Sequence, residues 1–373
     1  MFHIKAKCFP INFACRKLEI RHNRLAVVRF ALIGFAVLAI LNEYLVYILK
    51  PVVSWPAIKC NKTEHCTKIL LVADPQILGE YKENFLARFD SDRYLRNTFT
   101  TALQFVKPDG IIFLGDLFDE GSVATTDQFN RYCNRFHSIF QLEKLTGADT
   151  ETVFIPGDND IGGENNEIIR SEHVARFRKK FDTKDIHFIK DVQITKVNKL
   201  LRTYPVLEDK SSNGKFKLNI AVSHMPLSTV ISPFTEQVIL NVRPEFIFSA
   251  HDHKSYALLT LKEDGKMLYY EDMKYNAFKG GISTWTFQAA KSTNYSVITE
   301  IVVPTCSYRM GSADVGYGVI IHGENSEQIT YHVLWLPSRL PHLWLYVIFI
   351  SISSAFIWCN CSSLRRLYFK YCK

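Results

Sequence analysis

A short apolar run that ends in Asp74-Pro75-Gln76 most constrains what this chain can fold into, because four similar fragments follow it at wide spacing. Each fragment places carboxylates, amides or imidazoles directly after a strand-like run: LGDLFDEG, PGDND, SHMP and SAHDH. Buried parallel strands that end in such loops gather polar side chains at the carboxyl edge of a sheet. Together the fragments supply more oxygen and nitrogen donors than one metal ion needs, so they predict a two-metal hydrolytic site.

The pattern of apolar residues predicts an α/β fold. After a strand that begins at Ile69, helices and strands alternate: Ser91–Val106, Ile111–Leu114, about Thr125–Lys144 and Thr152–Ile155. This alternation is typical of a parallel βαβ arrangement. The second half is mostly strand-like: Leu218–Val222, Glu245–Ser249, Tyr256–Leu261, Met267–Tyr270, Ser296–Val303, Gly316–Ile321 and Gln328–Leu336. We therefore predict two packed mixed sheets that are flanked by helices.

Two long apolar segments, Phe30–Leu49 and Leu340–Cys359, are candidate transmembrane helices. No small-residue cleavage site follows the first, which indicates an uncleaved anchor rather than a removed signal peptide; two buried core helices are the alternative. Glu43 inside the first segment must lie near the membrane interface or be paired. Basic residues flank the outer end of both segments, which predicts cytosolic tails and a middle domain in the lumen or outside the cell.

The predicted domain boundaries follow from these segments. They are a cytosolic tail at 1–29, a transmembrane helix at 30–49, a juxtamembrane linker at 50–67, a luminal domain at 68–338, a second transmembrane helix at 339–359 and a second cytosolic tail at 360–373.

The net charge of +8 does not indicate a nucleic-acid-binding protein once the charges are located. The segments 1–50 and 339–373 hold 13 of the 45 Lys and Arg residues but only two of the 37 Asp and Glu residues, which leaves 32 basic against 35 acidic residues between them. The middle domain therefore lacks the basic surface that nucleic acid requires, and we predict no nucleic-acid partner.

The cysteines divide according to this topology. Cys60 and Cys66 stand beside the first span on the oxidising side, where they form either a disulfide or two buried thiols. Cys133 and Cys306 face the same side, and the tail cysteines are candidate acylation sites: Cys8, Cys15, Cys359, Cys361 and Cys372. Asn61 and Asn294 begin glycosylation sequons that agree with a luminal domain.

The five fragments, in this order, resemble the signatures of the calcineurin-like metallophosphoesterases over residues 68–336. The resemblance implies the αββα sandwich of that superfamily and two divalent ions, Mn²⁺ foremost, with Zn²⁺ or Fe as alternatives. It assigns one ion to Asp74, Gln76, Asp116 and His253, and the other to Asp116, Asp158, His224 and His251. Asp116 is then the bridging ligand, and Asp119 supports the site from behind the ligands. Taken alone, Asp116 or Asp158 is also typical of a helix cap, and a lone His224 of a satisfied core histidine.

The third fragment departs from the family pattern. It reads Gly157-Asp158-Asn159-Asp160 where Gly-Asn-His-Asp is expected. Asn159 and Asp160 are the candidate catalytic residues of this fragment. Asn159 has no titratable proton for a leaving alkoxide, so the candidate donors are Asp160, Glu164 or a water molecule on the metal. In a slipped alignment, Asn159 takes the ligand position and Asp160 the acid position. We favour the ungapped alignment, because Gly157 then stands immediately before the ligand.

Further fragments resemble the membrane-bound subgroup of this superfamily that trims ethanolamine phosphate from GPI anchors: VADPQILGE, FLGDLFDEG, NDIGG and PTCSYRMGS, with Gln76 in place of histidine. The resemblance implies a phosphodiesterase of the early secretory pathway (ER exit sites, the ER–Golgi intermediate compartment or the Golgi) that supports ER-to-Golgi transport of GPI-anchored proteins. Two alternatives are another luminal metallophosphoesterase and an inactive sorting factor that binds GPI-anchored proteins.

Overall fold

The structure is a computed structural model. It describes residues 11–60, 65–146, 150–163, 167–181, 184–206, 216–263, 265–275, 283–293, 296–324 and 326–371, with side chains described from residue 26 to residue 358. The chain divides into two compact units. One consists of the terminal segments up to Val46 and from Arg339, and the other spans Tyr47–Ser338.

The α-helices in the described part of the chain are α1 (Ile11–Ile40), α2 (Val46–Ser54), α3 (Phe85–Val106), α4 (Thr126–Phe140), α5 (Leu142–Thr146), α6 (Asp158–Ile161), α7 (Ser171–Phe181), α8 (Pro233–Val242) and α9 (Arg339–Tyr371). A π-helical segment, Leu41–Leu45, lies between α1 and α2, and a short 3-10 helix spans Ala290–Thr293. Residues Ala26–Ser54 and Arg339–Trp358 are long and apolar enough to cross a membrane. The first of these spans is longer than the predicted 30–49.

Polar contacts join the two terminal helices. The Glu43 carboxylate accepts hydrogen bonds from the Arg339 guanidinium at 3.1 Å and from the Tyr346 hydroxyl at 2.6 Å. The Asn42 amide donates to the carbonyl of His342 at 3.1 Å. Of the two alternatives for Glu43, the structure therefore shows the paired one. Pairing offsets the high cost of an isolated charge in an apolar helix.

The strands are β1 (Cys66–Val72), β2 (Gly110–Phe113), β3 (Glu151–Phe154), β4 (Ile186–Ile189), β5 (Val192–Lys196), β6 (Leu218–Val222), β7 (Phe246–Ser249), β8 (Tyr256–Leu261), β9 (Met267–Asp272), β10 (Thr284–Gln288), β11 (Val297–Val302), β12 (Gly316–Gly323) and β13 (Gln328–Trp335). The first sheet has the order β10-β13-β12-β1-β2-β3, with β1, β2 and β3 parallel. The second has the order β4-β5-β6-β7-β11-β8-β9, with β5, β6, β7 and β11 parallel.

Apolar side chains of both sheets meet in one buried core. Ile69 and Ile112 of the first sheet belong to the same cluster as Ile220 and Phe248 of the second. Because both faces of the central parallel strands are covered, these strands read as nearly continuous apolar runs, as the sequence analysis assumed. The prediction of two mixed sheets with flanking helices is confirmed.

Local capping explains where the helices differ from the prediction. Helix α3 begins at Phe85, six residues before the predicted Ser91, because the Asn84 side chain accepts a hydrogen bond from the backbone of Ala87 at 3.0 Å. The helix predicted at Thr125–Lys144 breaks at Gln141, which adopts a left-handed conformation with φ of 51°.

The structure also decides between a disulfide and two buried thiols for Cys60 and Cys66. Cys60 and Cys66 form a disulfide, whereas Cys133 and Cys306 are free and buried. The predicted sequon residues Asn61 and Asn294 lie outside the described residues, as does Glu164.

Candidate metal centre

The parallel strands deliver the seven predicted ligands to a shared edge. Each ligand follows the carboxyl end of a parallel strand: Asp74 and Gln76 follow β1, Asp116 follows β2, Asp158 follows β3, His224 follows β6, and His251 and His253 follow β7. Parallel strands of one sheet end at the same edge, and the two sheets here share a core. The side chains therefore converge although 179 positions separate the first from the last.

Asp158, His224 and His251 form one group of possible metal ligands, with ligand atoms within 4.8 Å of one another. His224 Nε2 lies 2.8 Å and His251 Nδ1 lies 3.1 Å from the same carboxylate oxygen, Oδ1 of Asp158. Two imidazoles that face one carboxylate are the mixed oxygen and nitrogen donor set that Mn²⁺, Zn²⁺ and Fe accept.

Asp74, Asp116 and His253 form a second group of the same size. The Gln76 amide lies beside it: its Nε2 donates to Asp116 Oδ2 at 3.0 Å and lies 3.2 Å from His253 Nε2. An amide nitrogen has no lone pair for an ion, so Gln76 would hold a metal through its carbonyl oxygen, with the amide turned over.

Asp116 connects the two groups. Its Oδ1 lies 3.4 Å from His224 Nε2 in the first group, whereas its Oδ2 faces Gln76 in the second. The side chain is buried, with 1% of its surface exposed. A carboxylate with one oxygen toward each group has the placement of a bridging ligand.

The donor chemistry of His224 fits a metal ion. Its Nδ1 lies 2.8 Å from the carbonyl oxygen of Leu114, and a carbonyl only accepts, so Nδ1–H is the donor. Nε2 therefore faces the carboxylates of Asp158 and Asp116, and either a proton or a metal ion must lie between this nitrogen and the carboxylate oxygens. A carbonyl that orients a ligating histidine in this way is common behind metal sites.

The electrostatics of the buried carboxylates are consistent with bound cations. Burial raises the pKa of Asp74 to about 7, and Asp74 Oδ2 has no hydrogen-bond partner among the described residues. Burial alone would lower the pKa of His224, but the carboxylates of Asp116, Asp158 and Asp74 outweigh it and raise that pKa to about 10. The side chains therefore hold excess negative charge that only bound cations or protons can offset. Two divalent ions fit this requirement.

The backbone is unusual at the same positions. Among the described residues, ten other than glycine have a positive φ, and five of them are predicted ligands: Asp74, Gln76, Asp116, His251 and His253, with φ between 39° and 70°. Left-handed conformations cost free energy for residues with a Cβ and persist where surrounding contacts enforce them. The tight turn after each strand thus aims a side chain into the site.

Two glycines leave room for these turns. A Cβ on Gly157 would stand 2.1 Å from Asp116 Oδ1, and a Cβ on Gly115 would stand 2.5 Å from His224 Nδ1. Gly115 also has a φ of 96°, which favours glycine. Both positions thus require glycine.

The two predicted catalytic residues have different placements. Asn159 donates to Asp116 twice, from its backbone to Oδ1 at 3.0 Å and from its amide to Oδ2 at 2.9 Å. Asp160 instead accepts from the backbone N–H groups of Gly157, Leu117 and Phe118 at 2.9 to 3.1 Å and is completely buried. Burial and the neighbouring Asp116 carboxylate raise the pKa of Asp160 to about 8, whereas its backbone hydrogen bonds hold the turn at Asp116. Proton donation by Asp160 stays a prediction.

Asp119 is not brought into either group. Burial raises the pKa of its carboxyl group, and the charges that affect this pKa most are those of Lys82, Glu120 and Glu83. Its neighbour Glu120 instead holds the loop after β1: this buried carboxylate accepts from the backbone of Tyr81 and Lys82 at 3.0 and 2.6 Å. The support that Asp119 gives the site stays a prediction.

Glu300 was not among the predicted site residues. This completely buried carboxylate accepts hydrogen bonds from the backbone of Leu227 and Ser228 and from the hydroxyls of Ser228 and Ser249 at 2.5 to 2.8 Å. It thereby holds the loop that follows His224. The signal that points to Glu300 is a lone acidic residue inside the apolar run VITEIVV.

The chain matches the calcineurin-like phosphoesterase family over residues 67–255, more than half of its length, and it belongs to this family. Fold, paired ligand groups and family together define the class as metal-dependent phosphoester hydrolases.

Within that class, the chain is similar to metallophosphoesterase 1 of Cricetulus griseus, with 25% identity over 180 residues. This match spans 47% of the chain and 44% of the relative, a little under half of either protein. The metallophosphoesterase 1 homolog of Caenorhabditis elegans is 22% identical over 330 residues, 83% of this chain and 85% of its own length. Among solved structures, a purple acid phosphatase from yellow lupin (Lupinus luteus) seeds covers 72% of this chain and 54% of its own, with 8% identity and a TM-score of 0.41.

Proposed function

We propose that this chain is a dinuclear metal phosphodiesterase that removes ethanolamine phosphate from the GPI glycan of GPI-anchored proteins. The observation that carries the reaction type is the placement of Asp116 between two ligand groups, each of which has a further carboxylate and at least one imidazole. The choice of substrate rests on the motif resemblance and on relatives named metallophosphoesterase 1.

The metal ions, when bound, supply charge neutralisation for the phosphate and lower the pKa of a water molecule toward neutrality. In our proposal, Asp74, Gln76, Asp116 and His253 hold one ion, and Asp116, Asp158, His224 and His251 hold the other. The chain itself supplies orientation. Leu114 fixes the ring of His224, and Asn159 fixes the carboxylate of Asp116 through two hydrogen bonds.

The residue at position 159 sets a limit on the leaving group. The Asn159 amide reaches Asp116 but has no proton to release, and the carboxylate of Asp160 is turned to the backbone. General acid catalysis contributes roughly 10² to 10⁴ in rate where a donor is present. The proposed enzyme is thus expected to favour esters with good leaving groups more strongly than a relative with histidine at this position.

The proposed location is the membrane of the early secretory pathway, between ER exit sites and the Golgi, with the domain of residues 68–338 in the lumen. Supporting this orientation are the basic residues at the outer ends of the two apolar segments and the Cys60–Cys66 disulfide. GPI-anchored proteins are the proposed partners as substrates, and Mn²⁺ is the proposed ion.

The test combines metal content with two substrates. The full chain, purified in detergent, is expected to bind two divalent ions, to hydrolyse bis(4-nitrophenyl) phosphate in Mn²⁺ and to release ethanolamine phosphate from a GPI-anchored protein. An Asp74→Ala variant serves as the inactive control, because it removes a buried ligand. Aryl ester hydrolysis without ethanolamine phosphate release would retain the enzyme class and reject the substrate.

A second candidate function is an inactive factor that binds and sorts GPI-anchored proteins. Asn159 favours it, because a ligand-complete site without a proton donor is able to bind phosphate without fast turnover. This candidate predicts tight retention of a GPI-anchored protein with no turnover of either substrate in Mn²⁺, Zn²⁺ or Fe²⁺.

A further inference from the structure

An exposed aromatic patch precedes the buried part of α3. Tyr81, Phe85, Leu86 and Phe89 are 85%, 67%, 74% and 57% exposed, and we call these four residues the α3 patch. The rings of Phe85 and Phe89 stack with centroids 6.2 Å apart. Leu86 lies one helical turn from Phe89, and Tyr81 precedes the helix by four residues. Scattered exposed apolar residues are common, but exposed apolar side chains that cluster on one helix face mark an interaction surface.

The packing of α3 on α2 places the patch. The ring of Tyr47 contacts that of Tyr94 at 6.2 Å, and the ring of Trp55, just after α2, contacts that of Phe105 at 5.1 Å. The contact at the start of α2 is made by Tyr94, and the contact at its end is made by Phe105, which comes later in α3. The two helices therefore run in the same direction. At 1.5 Å per residue, Phe89 and Phe85 lie roughly 7 to 14 Å before Tyr94 along the axis of α3. The patch therefore lies toward the N-terminal end of α2, past the level of Tyr47 along the axis of α3.

That side of α2 belongs to a candidate membrane span. Helix α2 is the end of the apolar segment Ala26–Ser54. Its apolar side chains are open to the surroundings, with Ile48, Leu49, Val52 and Val53 exposed by 52% to 81%. The exposed apolar surface of α2 and the α3 patch thus lie on adjacent helices.

The loop before α3 holds the patch in place. The Glu120 carboxylate accepts from the backbone of Tyr81 and Lys82, and Arg135 donates to the carbonyl of Leu78 at 2.8 Å. Gly79 is required for this arrangement, since a Cβ there would stand 1.9 Å from Glu120 Oε2. A rigid aromatic surface beside an exposed lysine, Lys82, has the composition of membrane-interface segments.

We propose that the α3 patch inserts into the bilayer that the Ala26–Ser54 span enters. Lipid is the occupant that continuity with the span selects, and a second copy of the chain is the alternative. Helix α3 starts on the side of the domain where β1 ends and delivers Asp74 and Gln76, so insertion turns the metal centre toward the membrane surface.

The test uses the full chain in phosphatidylcholine vesicles with radiolabelled acyl chains. Benzoylphenylalanine replaces Leu86 in one protein and Leu240 in a control, since Leu240 is equally apolar and 69% exposed on α8, which packs on the second sheet. After illumination, we expect at least about tenfold more lipid attached at position 86 than at position 240. Equal labelling at both positions, or a protein dimer as the main product at position 86, would overturn the proposal.

A stability control and a separate activity measurement make the outcome interpretable. Both substituted proteins must retain the thermal unfolding temperature of the unmodified chain, which shows that the label has not unfolded α3. Cross-linking to lipid needs no catalysis, so lipid attachment by a chain without phosphodiesterase activity would support insertion and reject the proposed function. Phosphodiesterase activity with no lipid attachment at position 86 would support the proposed function and reject insertion.

Discussion

The Nδ1 atom of His224 lies 2.8 Å from the carbonyl oxygen of Leu114, and this hydrogen bond joins the loop after β6 to the end of β2. Leu114 precedes Asp116 by two residues, so the orientation of an imidazole in one sheet depends on the strand that positions a carboxylate in the other. The two sheets therefore assemble the centre jointly, and neither provides it alone.

This hydrogen bond leads to a prediction with a matched pair of variants. His224→Asn keeps an amide near Nδ1 that is able to donate to Leu114, but it loses the nitrogen that faces Asp158 and Asp116. We expect this variant to bind one ion and to lose roughly 100-fold or more in activity. His224→Gln extends an amide toward the Nε2 position and is expected to retain more of the second ion. Metal analysis of both proteins decides, and equal metal loss would contradict the assignment of Nε2 as the ligand.

Gly157→Ala tests the space beside Asp116. The new Cβ would stand 2.1 Å from Asp116 Oδ1 and 2.3 Å from its backbone nitrogen, so the carboxylate must move. We expect a loss of roughly 10²-fold in activity, because catalytic groups tolerate little displacement. Gly311→Ala is the control, since Gly311 has a φ of 70° but no atom within 4 Å of its Cβ position. It should cost about 1 kcal/mol of stability and leave activity unchanged.

Asp158→Ala and Asn159→Ala distinguish the two alignments of the third fragment. Asp158 lies between two imidazoles, so its removal should eliminate one ion and the metal-dependent activity. Asn159→Ala should keep both ions. Asn159→His should preserve or raise the turnover of esters with poor leaving groups, because it restores a titratable proton. Full activity of Asp158→Ala, together with loss of an ion in Asn159→Ala, would favour the slipped alignment.

Glu300→Gln tests the loop after His224. The variant keeps the shape of the side chain but replaces a carboxylate oxygen that accepts N–H and O–H groups with an amide that donates. We expect a loss of about 2 to 4 kcal/mol in the free energy of unfolding, read as a lower thermal midpoint. The exposed Glu236→Gln on α8 should change the midpoint little. Unchanged stability in both variants would show that Glu300 does not hold this loop.

His332 makes stability depend on pH. Burial lowers its pKa to about 4, and its Nδ1 lies 2.8 Å from the Thr284 hydroxyl. Between pH 6.5 and 4, His332 is protonated in the unfolded chain but remains neutral in the folded chain. The free energy of unfolding therefore has its full value above pH 6.5 and decreases as the pH falls toward 4. When the pH is lowered from 7.5 to 4.5, we expect the free energy of unfolding of His332→Gln to decrease by about 1 to 2 kcal/mol less than that of the unmodified chain. Parallel midpoints for the two proteins across that range would rule this out.

Much of the fold, and the side chains that converge as candidate ligands, could be predicted from local patterns. The apolar runs before Asp74, Asp116 and Asp158 identify buried parallel strands, and such strands must end at one edge of a sheet. Hydropathy likewise predicts the two apolar segments, because a span is a property of consecutive residues. The start of α3 was missed by six residues, although Asn84 carried the capping signal.

What the sequence by itself determined is the chemistry that is available: three carboxylates, three imidazoles and one amide at the ends of strands. The tertiary structure decided how each group is used, because the deciding contacts join distant positions. Leu114 and His224 are 110 residues apart, Ser228 and Glu300 are 72 apart, and Glu43 and Arg339 are 296 apart. Asp160 shows the limit most clearly: its residue type suits a proton donor, and only the folded chain shows that its side chain also accepts from three backbone N–H groups and holds the turn at Asp116.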